Sequence, residues 1–103
     1  MEEQVVHLGS HQGNVGEVVR RLTEVIKRRR RSLGISQQML ADSAGLDRGY
    51  LVSIEHAKRN PSIITLVQIA VALSMPASEL VGLAEQMAND HDSSSGNDKK
   101  DPN

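Results

Sequence analysis

A chain of 103 residues with no Cys, Trp or Phe and a single Tyr is long enough for one small domain. It holds neither disulfides nor thiolate metal sites, and it must build its core from Leu, Ile, Val, Met and Ala. No apolar run approaches the roughly 20 residues that span a bilayer, and the acidic opening Met1-Glu2-Glu3-Gln4 lacks a signal-peptide pattern, so a cytoplasmic protein with no membrane partner is expected. The formal net charge of −1 is unevenly spread: residues 1–19 carry three acids and no Lys or Arg, residues 20–59 ten bases against four acids, and residues 60–103 two bases against six acids. A polyanion close to the middle segment would respond to that local excess, because screening confines charge effects to about 8–10 Å at ordinary salt.

In chain order, residues 1–14 contain Gly9, Gly13, Ser10 and Asn14 among polar residues and read as a flexible N-terminal arm. A first helix is expected from about Gly16 to Ser32, where Val15, Val18, Val19, Leu22, Val25 and Ile26 recur at three- and four-residue steps. Leu33 and Ile35 should continue that packing beyond the exit at Gly34. Ser36 caps a second helix from Gln37 to about Ser43, and Asp47 caps a third that ends near His56. After the polar loop Lys58-Arg59-Asn60-Pro61, Ser62 caps a fourth helix to about Leu73, with Ile63, Leu66, Ile69, Ala70 and Leu73 as its core face. A fifth helix starts near Pro76 or Ala77 and carries Leu80, Val81, Leu83, Ala84 and Met87. Residues 89–103, rich in Asp, Ser, Gly, Asn and Lys, have nothing to bury and read as a disordered acidic tail. The domain thus spans 15–88.

The stretch 36–55 is the most telling. Leu40, Ala41, Ala44, Leu46, Leu51 and Ile54 fall where two short helices must touch, and Gly45 falls where the chain turns sharply, a place for positive φ. This is the spacing of a helix-turn-helix, whose second helix enters the DNA major groove.

The chain also resembles a known family. Gly34-Ile35-Ser36-Gln37, Leu40-Ala41, Gly45-Leu46, Tyr50-Leu51, Ile54-Glu55, Lys58-Arg59-Asn60-Pro61-Ser62, Leu66, Ile69-Ala70 and Leu73 look like the lambda-repressor-like, Cro/CI-type (XRE) DNA-binding domain. The resemblance covers roughly residues 18–83. It implies an all-α, five-helix fold that binds operator DNA, usually as a homodimer; no cofactor or metal is expected. Two positions depart from it: Ala57 stands where the family often has Gly, and Gly49 is unusual inside a helix meant to read bases. Gly49 either permits close approach to DNA or is a tolerated small residue. Leu46-Asp47-Arg48-x-Tyr50 is similar to the controller proteins of restriction–modification systems, and it also occurs more widely in the family.

Base readout is expected from the outward face of the third helix, Arg48, Gly49, Val52 and Ser53. A guanidinium matches the O6/N7 edge of guanine bidentately, although Arg48 could equally meet a phosphate or water. Val52 and Ser53 suit a thymine methyl or a base edge. Phosphate contacts are expected from Gln37, at a helix start where backbone N–H groups already favour an anion, from Tyr50, whose ring also suits packing, a role compatible with the first, and from Lys58, Arg59 and Asn60. The run Lys27-Arg28-Arg29-Arg30-Arg31 is not one surface, because successive helical residues step by 100°. Its Arg30 occupies the position that the resemblance pairs with Glu55.

Ile64, Val67 and Val71 form a second apolar strip beside the fourth helix's core face, and Leu83 and Met87 join them as a candidate dimer interface. The alternative is that residues 1–14 fold over the strip. The expected function is a sequence-specific transcriptional regulator, a repressor or autoregulator, acting on an inverted repeat in double-stranded DNA. An antitoxin or partner-binding module is the other reading. An enzyme is not expected, nor a small-molecule substrate. His7, His11, His56 and His91 have no metal-ligand spacing, and no phosphate-cradling Gly-rich loop is present.

Overall fold

The computed structural model describes the backbone of residues 15–100 and the side chains of residues 15–90; the arm read at 1–14 lies outside the described residues. The elements are α1 (Val15–Ser32), α2 (Gln37–Ala44), α3 (Arg48–Glu55), α4 (Ile63–Ala72) and α5 (Ala77–Lys100). The caps explain where they start. Ser36 accepts from the Met39 N–H, Asp47 from Tyr50 and Ser62 from Thr65, each with an extended backbone at the cap.

The stops are equally regular. At four successive helix ends a residue with φ near +60 to +73° is followed by a paired set of backbone bonds. At Gly34 and Ile35 the N–H groups donate to Arg31 and Arg30, at Gly45 and Leu46 to Asp42 and Ala41, at Ala57 and Lys58 to Ile54 and Ser53, and at Ser74 and Met75 to Val71 and Ala70. Each is a Schellman closure. Ile35, Leu46 and Met75 then pack on the core, as the apolar residue after such a closure commonly does. At the end of α3 that place is taken by Lys58, which is exposed. Ala57 (φ 60°) therefore carries a left-handed backbone that an L residue adopts at a cost of roughly 1–2 kcal/mol. Ala57→Gly relieves this but adds unfolded-state entropy. We expect a net stabilisation of about 0.5–1 kcal/mol, seen as a higher urea midpoint with unchanged slope.

The turns pack α1 along α5 and against α3, α2 against α3 and α4, and α4 against α5. Ile26, Leu40, Leu51, Ile54, Ile69, Leu73 and Leu80 are fully buried at the centre, so the helix-turn-helix residues Leu40, Ala41, Ala44, Leu51 and Ile54 pack as their spacing predicts. Four expectations are corrected. Ile63 is 77% exposed, because the first residue of α4 points back along the axis, past the edge of the core. Val15, first in α1, is exposed for the same reason, and Leu33 turns outward at the end of α1. The last helix does not stop near Ala88. Its backbone continues to Lys100, past the domain end read at residue 88. Residues 101–103 lie outside the described residues.

Candidate nucleic-acid interface

The orientation of α3 is fixed at its C-terminal end by a buried carboxylate. Glu55, 2% exposed, accepts from Arg30 Nε at 2.7 Å on Oε2, and from Arg30 Nη2 at 3.1 Å and Gln37 Nε2 at 3.0 Å on Oε1. Arg30 Nη1 donates to the Ile35 carbonyl at 3.0 Å. One carboxylate thus ties α1, α2 and α3 together, and no buried side-chain polar atom among the described residues lacks a partner. The pairing implied by the resemblance is present in bidentate form. Gln37 was expected on phosphate; its amide instead turns inward onto Glu55, leaving its second N–H and the backbone N–H groups of the α2 start for any anion.

The first turn of α3 faces out. Arg48 and Gly49 are exposed; Val52 and Ser53 are half-buried. A Cβ at Gly49 would sit 3.1 Å from Oδ2 of the exposed Asp47, the carboxylate that caps the helix, which would have to shift by a few tenths of an ångström. Ser53 Oγ donates to the Tyr50 carbonyl at 2.7 Å, so its hydroxyl can offer a base only a lone pair. Tyr50 packs its ring against the core, and the Arg59 guanidinium lies 5.8 Å from the ring centroid, close enough for a cation–π contact. Asp47, Gly49, Tyr50, Ser53 and Arg59 together line a small depression beside α3. Lys58, Arg59 and Asn60 are all exposed in the turn that follows.

The basic run divides by face. Arg30 goes to Glu55. Arg29 Nε donates to the Leu73 carbonyl at 3.0 Å, placing a cation on the negative end of α4. Arg28 pairs with Glu24 at 2.7 Å, and Glu24 also meets Arg21 at 2.8 Å. The Arg21 hydrogen bond, more than the Arg28 charge, holds Glu24 below the usual carboxylate range. Arg20, and then Arg21, do the same for Glu17. Lys27 and Arg31 meet no carboxylate among the described residues and face Lys58 across a cleft. The sequence carried a signal for these last two: Arg20, Lys27 and Arg31 lie at i, i+7 and i+11, one face of α1.

On α4, Ile64 (74% exposed), Val67 (45%) and Val71 (71%) form an unbroken apolar strip, which Ile63 extends. Leu83 and Met87 do not simply prolong it; they border a groove between α5 and α1 with Val25, Arg29 and Met75. No helix among the described residues is long and apolar enough by itself to cross a membrane.

The helix-turn-helix family matches residues 26–80. Over 54 residues the chain is 41% identical to an uncharacterised HTH-type transcriptional regulator of Sinorhizobium fredii, covering 52% of this chain and 70% of that protein. It is 42% identical over 57 residues to the immunity repressor of Bacillus phage phi105, covering 55% of this chain and 40% of the repressor. Among solved structures, the restriction–modification controller protein C.AhdI of Aeromonas hydrophila superposes with a TM-score of 0.59 at 32% identity, covering 63% of this chain and 97% of that one. The controller C.Esp1396I, solved as a tetramer on its natural 35-base-pair operator, superposes with a TM-score of 0.64 at 28% identity, covering 69% and 93%.

Proposed function

The chain belongs to the helix-turn-helix family of Cro/CI-type DNA-binding transcriptional regulators, and from that premise we propose that it reads an inverted-repeat operator as a homodimer and acts as a repressor or autoregulator. The observation that carries this reading is the asymmetry of α3. Its far end is locked by Glu55, while its first turn presents Arg48, Gly49, Val52 and Ser53 to solvent beside the exposed Lys58-Arg59-Asn60 turn. Arg48 addresses a guanine edge, Val52 a thymine methyl and Ser53 an amino group of a base. Tyr50, Lys58, Arg59, Asn60 and the α2 start at Gln37 bracket them on phosphate.

The apolar strip of Ile64, Val67 and Val71 supplies the two-fold contact, with Leu83 and Met87 at its margin. A second copy across it sets the recognition helices about 34 Å apart, one DNA turn. The likeness to C.Esp1396I, which assembles as a tetramer on its operator, supports two dimers on adjacent sites.

Selection of bound sequences from random duplex DNA, followed by affinities at several salt concentrations, tests the reading. An inverted repeat should emerge. Arg48→Ala should relax preference at one base position per half-site by about 1–3 kcal/mol, while Lys58→Ala should weaken all sequences alike and flatten the salt slope by about one unit. Neither preference nor salt slope in the parent protein would overturn it.

A further inference from the structure

Between α1 and the end of α3 lies an open cleft of about 630 Å³ lined by Lys27, Arg31, His56 and Lys58, with Arg20 and Arg28 at its edge. Its two carboxylates are already engaged: Glu24 with Arg21 and Arg28, Glu55 with Arg30 and Gln37. Arg20 is held by Glu17 at 2.6 Å. Lys27, Arg31 and Lys58 therefore face the cleft with no carboxylate within ion-pair distance among the described residues. Like charges gathered on a concave surface raise the local anion concentration and repel one another until one arrives. Lys58 is the key to orientation, because it stands in the αL closure of α3 where the other three helix ends carry an apolar residue turned onto the core. It joins this cleft to the exposed Arg59-Asn60 turn.

We propose that the cleft is a phosphodiester seat, in which Lys27 and Arg31 of α1, with Lys58, hold the operator backbone that runs past the far end of α3. The inference rests on the DNA-binding reading above and extends the phosphate contacts from the α3–α4 turn onto a helix outside the helix-turn-helix. An open groove continuous with a basic turn suits a polymer backbone passing through it; a small free anion would gain more from an enclosed site.

The test compares operator affinity against salt for the parent, Lys27→Gln/Arg31→Gln and Lys99→Gln/Lys100→Gln, which removes the same charge at the end of α5. Each phosphate contact contributes about 0.9 to the slope of log affinity against log salt. The cleft pair should therefore bind operator at least about tenfold more weakly at 0.1 M salt, with a slope shallower by about two and an unchanged base preference. The α5 pair should keep the parent slope. Arg31→Gln alone, at an exposed position, should give about half the change in slope, so the result does not hang on the double variant folding well. If the cleft pair keeps the parent slope while the parent still selects an operator, the seat is disproved and the DNA reading stands. A parent with no preference and no slope fails the DNA reading itself. Saturable binding of inorganic pyrophosphate by the parent, lost in the cleft pair while operator affinity is untouched, would make this a small-anion site and overturn the proposal.

Discussion

Glu55→Ala should lower the unfolding free energy by about 3–5 kcal/mol. The carboxylate is 2% exposed and accepts three hydrogen bonds, two from Arg30 and one from Gln37. Removing it leaves Arg30, a residue only 9% exposed, with no counter-charge and only the Ile35 carbonyl to accept from its guanidinium. Most of the loss is thus the cost of an orphaned charge and not the worth of the pair. The double variant Arg30→Met/Glu55→Leu separates the two, since replacing both charges with apolar groups of similar size is often close to neutral. Urea denaturation of both singles and the double closes the cycle. The double should lie nearer the parent than either single. It should still bind operator more weakly than the parent, because the far end of α3 then keeps its apolar packing but loses its polar tie to α1 and α2. A double variant as unstable as Glu55→Ala would show that the pair is held by more than its charges.

Ile64→Asp/Val71→Asp should convert the protein to a folded monomer. Both side chains are more than 70% exposed in the single chain, so the fold loses little. A two-fold contact across them would place four carboxylates in one apolar seam. Linking two binding modules commonly raises affinity by about 10²–10⁴. Affinity for the inverted repeat should fall by a factor in that range, while affinity for an isolated half-site stays unchanged. Sedimentation gives the mass and a half-site titration gives the second quantity. An unaltered dimer would move the interface to the groove that Leu83 and Met87 border.

The features legible in the sequence were those fixed by short-range rules. Ser36, Asp47 and Ser62 cap as their positions predict, and Gly45 turns with φ 73°. The apolar spacing across 40–54 buried what it should. What the sequence hid depends on three-dimensional choices made by flexible or terminal groups. Gln37 can turn its amide toward a phosphate or toward Glu55, and only the packed geometry of three helices decides. Ile63 matches the core period of α4 but occupies its first position, where the side chain overshoots the core. At Gly49 close approach to DNA and a tolerated small residue were both open, and the Asp47 carboxylate 3.1 Å from where a Cβ would sit is compatible with either.

Two neighbouring residues of α1 reach opposite parts of the molecule. Arg30 grips the end of the recognition helix through Glu55, and Arg29 grips the last carbonyls of α4, whose outer side bears the apolar strip. In the proposed dimer the recognition helix and the apolar contact strip are therefore both tied to α1, by side chains one residue apart. Such a dimer behaves as a caliper with a fixed jaw width. One base pair added between half-sites turns the second by about 34° around the duplex, a rotation that the two ties to α1 would resist. Affinity across a spacer series should peak sharply at one length, where a hinged reader would show a plateau.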